Sequence, residues 1–564
     1  MMRWVKRQWG VWLACLVILQ LIACTPSSPG ASSPTSFVAP TLVASTPTSK
    51  PITTPTVENK YIFVPGYIPP ALIKELNLPE DIKITDDPSI PALARLQVGT
   101  ANQVASWVYV LVAPFATVPD EVSLEDLNAR WTASPEGNFP AERIVISSES
   151  LDLLSWLWGI PNPLFVDQEP AEQILDECWK SADAWTILPF EELQPQWKVI
   201  AINGQNPIRP GFSPATYPLN LPFSLVKTDE NGSADFVARL MEGSDFETPV
   251  TNYHPDRMTS LVLTGVTAMV RATGAMMDLQ GNTYPATDIR GELRAADILH
   301  INNEIPFTPR CPPGYDPASG LVFCSPPDYI ELLEDIGTDV VELTGDHFQD
   351  WGTEAVLYTL ELYREQGWQY YGGGEDLEDA QRPVLIEHNG NRIALIGCNA
   401  KAPGYSSAAE NTPGALRCDF DWLSKEVKKL KADGYLPVVT YQHEEVWTYK
   451  VDPFLQPAFH TAADAGAVIV SGSQAHQPQG FEFRNGSLLH YGLGNLFFDQ
   501  YYEGLPNRQA FIDRHVFYEG RHISTELLTI MFTDYAHSRW MTPEERAELL
   551  STIFAVSIWN ESEE

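Results

Sequence analysis

The chain has 564 residues, with 36 Lys and Arg against 73 Asp and Glu, for a formal net charge of −37. That length exceeds one hydrophobic core, and 44% hydrophobic residues suit two or three folded domains rather than a disordered chain. So acidic a surface repels phosphate backbones and anionic lipids, which excludes nucleic acid as a partner and leaves membrane attachment to something covalent or apolar.

Arg3, Lys6 and Arg7 make a basic start, followed by an apolar run over residues 11–22. The run is shorter than the ~20 residues of a spanning helix, so it reads as the apolar core of a signal peptide covering 1–24. It ends in Leu21-Ile22-Ala23-Cys24, which resembles the lipobox of bacterial lipoproteins. The resemblance implies a diacylglyceryl group on Cys24, an acyl chain such as palmitate, and an extracytoplasmic protein lipid-anchored to the cell membrane. Residues 25–60 are nearly all Thr, Ser, Pro, Ala and Val, which cannot bury a core and prefer extended conformations; they form a tether. Of seven Cys, Cys15 leaves with the signal and Cys24 is lipidated. Cys311 and Cys324 flank one Pro/Gly-rich loop, and Cys398 and Cys418 flank a Gly/Ser/Ala-rich one. Outside the cytoplasm these are candidates for two local disulfides, with buried free thiols the alternative. No Cys-x-x-Cys supports a zinc ribbon or redox motif.

Residues 61–250 read as a separate α/β domain. Residues 108–112 form a buried strand, Ser123 caps a helix running into Trp131, and residues 198–202 form a strand ending in the turn Asn203-Gly204. Trp185-Thr186-Ile187-Leu188-Pro189-Phe190 and Tyr217-Pro218-Leu219 complete an order that resembles the second half of type 2 periplasmic solute-binding proteins of the phosphate-binding kind. Their Ser/Thr-rich phosphate loop has no counterpart here, and an unrelated α/β domain is the competing reading.

Residues 251–564 alternate strands ending in polar residues with helices. Strands at 260–263, 298–301, 339–343, 438–441 and 468–470 end at Gly265, Asn302-Asn303-Glu304, Gly345-Asp346-His347, Gln442-His443-Glu444-Glu445 and Gly472-Ser473-Gln474-Ala475-His476. Helices are expected at 329–336, 355–365, 422–431 and 455–465. Ligands gather beyond the carboxyl ends of strands in such sheets, and three His beside carboxylates or amides there mark a functional cleft. His515 and His522 flank a hairpin turn at Glu519-Gly520 and read as structural. Thr542-Pro543-Glu544-Glu545 has the form of a capping box opening the last helix. Trp447, near His443, either packs in the core or lines a groove. Gly372-Gly373-Gly374 lacks the Lys-Ser/Thr of a phosphate loop, and no Gly-x-Ser-x-Gly supports a serine hydrolase.

An ordered motif series resembles the bacterial CapA-like poly-γ-glutamate capsule synthesis family, itself similar in fold to calcineurin-like metallophosphoesterases. Gly265-Val266-Thr267-Ala268-Met269-Val270-Arg271 stands for "GD.ML.R", Asn302-Asn303-Glu304 for "NLE", and Gly345-Asp346-His347 with Asp350 and Gly352 for "NNH..D.G". His443 stands for the His of "HWG.E", Gly472-Ser473-Gln474-Ala475-His476 for "GHHPH", and Tyr491-Gly492-Leu493-Gly494-Asn495 for "YSLGN". The resemblance implies a four-layer metallophosphoesterase-like α/β sandwich. It also implies metal ligands at Glu304, Asp346, His347, His443 and His476, proton transfer by His347 or His443, and Asn302, Asp350, Glu445 and Asn495 elsewhere in the cleft.

Two departures thin that set. Val266 replaces an Asp and cannot ligate, and Ser473 replaces a His. What remains suits one Zn, Mn or Fe ion better than a pair, with a metal-free binding cleft as the alternative. The favoured expectation is an envelope lipoprotein acting in synthesis, export or anchoring of an anionic polymer, beside membrane-embedded synthase partners. An anion-binding or sensing lipoprotein without catalysis, and a secreted metallophosphoesterase, are the competing readings.

Overall fold

The computed structural model describes residues 60–132, 138–181, 183–228, 232–242, 248–312, 321–401 and 407–559. The signal peptide, Cys24 and nearly all of the tether lie outside them. Asn59–Glu564 forms one compact unit.

Its first sheet is built around Gln103–Pro114, a twelve-residue strand rich in Val and aromatic residues and buried along most of its length. Around it the sheet order is Ile82–Thr85, Lys60–Phe63, Ala94–Val98, Asn220–Lys227, Gln103–Pro114, Ala184–Pro189, Arg143–Ile146, Val166–Gln168. Trp197–Val199 and Val250–Thr251 pair with the same long strand. Ser123 Oγ accepts from the backbone N–H of Asp126 at 2.9 Å, capping Leu124–Thr132, and Trp131 is fully buried at its end.

From Met258 onward the strands form two further main sheets. One runs Gln369–Tyr371, Val340–Glu342, Ile298–Asn303, Met258–Thr264, Gln509–Tyr518, Arg521–Thr533, His537–Trp540. The other runs Val384–His388, Asn391–Asn399, Leu436–Gln442, Ile469–Ser473, Ser487–His490, Phe481–Arg484. Side chains alternate faces along each strand, and the alternation assigns the layers. Leu261, Leu263, Ile298 and Val340 of one sheet meet Ile393, Leu395, Val438 and Ile469 of the other in a shared core. On the outer face of the first, Val262, Leu299 and Val341 pack on Leu332, Val356 and Leu360 of helices Ile330–Asp335 and Gly352–Gln366. On the outer face of the second, Ala394, Ile396, Val439 and Val470 pack on Leu423, Val427, Phe459 and Ala462 of helices Phe420–Ala432 and Gln456–Ala465. The arrangement is helix, sheet, sheet, helix: a four-layer α/β sandwich preceded by a separate α/β sheet.

The first sheet and the sandwich share apolar core. Val516, Tyr518 and Ile523 of the sandwich pack into the core of the first region, and Phe115 packs against Phe481, Phe483 and Trp559. Charge ties them as well: Arg546 grips Asp120 through Nε (2.6 Å) and Nη2 (2.8 Å), while Lys198 reaches Asp120 at 2.7 Å. The hairpin turn at Glu519-Gly520 is present, with φ of 48° and 74°. His515 and His522 beside it share the Thr525 hydroxyl at 2.8 and 2.9 Å, a structural role. Among the described residues no helix is long and apolar enough to cross a membrane.

Candidate metal centre

Four neighbouring strands in each sandwich sheet run parallel, so their carboxyl ends face the same way. Glu304 follows Ile298–Asn303, and Asp346 and His347 follow Val340–Glu342. The second chain segment passes so close to the first that a Cβ on Gly345 would collide with the Glu304 backbone, so only glycine fits there. From the other sheet come Lys401 after Asn391–Asn399, His443 and Glu445 after Leu436–Gln442, and Gln474 and His476 after Ile469–Ser473. Gln474 and His476 hold φ of 82° and 56°, backbone strain of the kind stored at functional sites.

Glu304, Asp346 and His347 each offer a ligand atom within 4.8 Å of the others. Glu304 is 1% and Asp346 4% exposed. Glu304 Oε2 is buried without a hydrogen-bond donor, as are Asn302 Oδ1 and Gln442 Oε1. His347 Nδ1 lies 2.7 Å from Asp350 Oδ2, so Nδ1 carries the proton, and Nε2 is turned toward Glu304 Oε1 at 3.9 Å. A carboxylate behind the far nitrogen of a ligating His is the usual way such a ring is oriented. Asp346 accepts from Gln442 Nε2 at 3.0 Å on Oδ1 and from Lys401 Nζ at 2.6 Å on Oδ2.

Burial, and then the Asp346 carboxylate, push the Glu304 carboxyl up to about 8. Burial opposes the charge on His347, but the Asp350 hydrogen bond and the charges of Glu304 and Asp346 outweigh it and raise the ring to about 9. Burial likewise opposes the Lys401 ammonium, and Asp346 more than compensates, leaving it above the ordinary lysine value. His443 and His476 are both lowered by burial and so are held neutral.

Both candidate disulfides are formed, and both brace this site. Cys311–Cys324 closes the loop carrying Phe323, whose N–H donates to Asp350 at 2.7 Å and whose ring lies 4.5 Å from that of His347. Cys398–Cys418 pins a second segment beside the Lys401 strand end, where Cys418 N–H donates to Asn399 at 2.9 Å. Cys178 is free and buried, and burial pushes its thiol up to about 12.

Of the five expected ligands, Glu304, Asp346 and His347 offer donor atoms within 4.8 Å of one another, while His443 and His476 stand at neighbouring strand ends, His476 within reach of the Asp346 charge. His443 accepts the Glu444 N–H on Nδ1 at 2.8 Å, with its ring against Phe454. His476 Nδ1 lies 2.8 Å from Asn495 Oδ1, beneath the Phe498 ring. Asn302 donates to Ser473 Oγ at 3.3 Å, and Glu445 accepts from Gln474 Nε2 at 3.3 Å. Val266, fully buried, pairs with Asn302 and Asn495 and presents no donor atom. Trp447 is 51% exposed, so packing in the core is excluded for it. Among the described residues, Glu304, Asp346 and His347 are the group whose donor atoms lie close enough to hold a divalent cation, and Val266 and Ser473 add no carboxylate or imidazole donor to it. Sequence reasoning passed over Lys401, Gln442 and Gln474. Lys401 was detectable, since it sits just past a parallel strand in the same way as the other cleft residues.

The "Capsule biosynthesis protein CapA" of Bacillus anthracis is 25% identical over 268 residues, 47% of this chain and 65% of that protein, so the chain spans just under two thirds of its length. The "PGA biosynthesis protein CapA" of Bacillus subtilis is 25% identical over 256 residues, 45% of this chain and 67% of that protein. Solved structures with some likeness include a 5'-nucleotidase precursor from Thermus thermophilus (14% identity, TM-score 0.31, 53% of this chain and 58% of that one). Another is an ABC-type phosphate transport receptor from Vibrio cholerae (11% identity, TM-score 0.27, 33% of this chain and 94% of that one). Residues 259–500, which carry every ligand candidate, match the model of the family described as "Bacterial capsule synthesis protein PGA_cap".

Proposed function

We propose that this protein is an extracytoplasmic component of capsule biosynthesis, anchored through a lipid on Cys24. In this reading its cleft uses one divalent cation to hold the carboxylates of an anionic polymer such as poly-γ-glutamate. The observation that carries the reading is the buried Glu304–Asp346–His347 group inside the stretch that matches the capsule-synthesis family. A chain with a net charge of −37 repels a polyanion, and a cation seated in the cleft reverses that sign locally.

The bound ion would supply positive charge to carboxylate oxygens. The chain's own residues do the rest. Asp350 fixes the His347 ring with Nε2 turned inward, and Lys401 and Gln442 hold the two oxygens of Asp346. Phe323 and Phe498 wall the cleft beside His347 and His476 and limit water at the group. Arg271, at φ 57° and with its guanidinium 5.6 Å from the centre of the Phe498 ring, sits one aromatic ring away from His476, where a further polymer carboxylate would meet it. A two-ion phosphoesterase is the weaker alternative, because Val266 and Ser473 remove donors it needs.

The test is binding of the purified chain to poly-γ-glutamate and a panel of other anionic envelope polymers, by calorimetry, with Mn²⁺ and with chelator. Binding that requires Mn²⁺ and is lost in His347→Ala supports the reading. No binding to any polymer in either condition refutes it.

A further inference from the structure

We infer that Lys401 is a built-in cation occupying the place of a second ion, so that the centre takes one divalent metal and is kept from taking two by this side chain. The inference concerns ion count and goes beyond the polymer reading, which could fail while it stands.

Lys401 is only 6% exposed, yet its ammonium lies among carboxylates: 2.6 Å from Asp346 Oδ2 and 3.8 Å from Glu445 Oε1. Both Glu304 and His476 feel its charge. Paired metal centres set their ions roughly 3.5–4 Å apart around shared oxygens. Here Asp346 is the shared carboxylate. Its Oδ2 is taken by Lys401, and it also contributes to the ligand group with Glu304 and His347. The changes around Lys401 agree with the exchange. Val266 and Ser473 contribute no anionic or imidazole donor.

A lysine in this place differs from a metal in what it can do. It donates hydrogen bonds and neutralises Asp346, but it cannot accept a water or a phosphoryl oxygen as a ligand. The centre so built holds an anion on a single exchangeable cation and lacks the two-sided clamp of in-line phosphoryl transfer.

The test counts ions on the full chain, with Mn²⁺ as the probe, by native mass spectrometry and electron paramagnetic resonance. The wild type is expected to hold one Mn²⁺ with an uncoupled six-line spectrum. Lys401→Ala is expected to hold one more, with the exchange-coupled signal of a close pair, while Lys401→Arg keeps the wild-type count. Two ions on the wild-type chain overturn the inference without any variant. An unchanged count in both Lys401→Ala and Lys401→Gln, each folded by circular dichroism, overturns it equally.

Discussion

The first sheet and the sandwich are both mixed α/β assemblies, yet among the described residues the group of close metal-ligating side chains lies in the sandwich. The difference lies in strand direction. In the first sheet the central strand Gln103–Pro114 has antiparallel neighbours on both sides, Asn220–Lys227 and Ala184–Pro189, which separate two short parallel runs at the flanks, so their strand ends do not gather at one place. Its buried polar groups serve structure: Asn252 bonds both backbone groups of Val108, and Trp107 Nε1 donates to Glu191 at 3.0 Å. In the sandwich, parallel runs in both sheets end on one side, so groups more than 100 residues apart in sequence converge. Parallel topology, more than composition, concentrates chemistry here.

The largest expected effect comes from breaking that convergence at its centre. Asp346→Ala leaves the Lys401 ammonium buried without its nearest partner, and removing one member of a buried ion pair costs about 3–5 kcal/mol. Urea unfolding should show that loss together with abolished Mn²⁺ binding, and Asp346→Asn should lose the ion while losing less stability. A stable Asp346→Ala that still binds Mn²⁺ would remove the centre from the sandwich altogether.

Next in size is the link between the two regions. Asp120, on the first region, neutralises Lys198 and Arg546 together. Its side chain is 37% exposed, so solvent screens part of the pair, and Asp120→Ala is expected to cost about 2 kcal/mol. Burial, helped by the Arg546 charge, pulls Lys198 down to about 8, with Asp120 resisting the fall. The informative readout is cooperativity: a second unfolding transition in the variant would show that the two regions are held as one by this contact, and a single unshifted transition would show that their shared apolar core suffices.

These contrasts show which parts of the structure are legible in the sequence. Strands and helices after residue 255 follow from periodicity, because each strand end is marked by polar residues and each helix by an apolar stripe. Glu304, Asp346 and His347 stand at such ends, so their grouping is readable. How His443 and His476 stand toward them is not, since it depends on loop paths after the strands, including the positive φ at Gln474 and His476. Lys401 is legible by its place just past a parallel strand but not by its type, since a lysine among apolar and small residues reads as surface and its carboxylate neighbours come from other strands.

The sandwich should also be the more acid-sensitive half. Burial drives His522 down to about 3 and His515 well below its ordinary value. The folded value lies beneath the unfolded one, about 6.5, so the unfolded chain takes up protons first as pH falls. Stability from His522 is therefore complete above about pH 6.5 and is lost as pH drops toward 3. Each such group contributes a slope of at most ~1.4 kcal/mol per pH unit. Unfolding free energies between pH 7 and 4 should fall less steeply in His522→Gln than in the wild type; equal slopes would assign the acid sensitivity elsewhere.

The smallest effect isolates local structure from both regions' chemistry. Thr542 Oγ1 accepts the Glu545 N–H at 3.3 Å while Glu545 Oε2 accepts the Thr542 N–H at 2.9 Å, a reciprocal capping box opening Pro543–Val556. Thr542→Ala should cost about 1 kcal/mol and leave Mn²⁺ binding untouched. This helix also carries Arg546, the partner of Asp120, one turn in from the cap. If fraying from Thr542→Ala reproduces the second transition expected of Asp120→Ala, then the cap, and not the ion pair alone, fixes the orientation of the arginine that joins the first sheet to the sandwich.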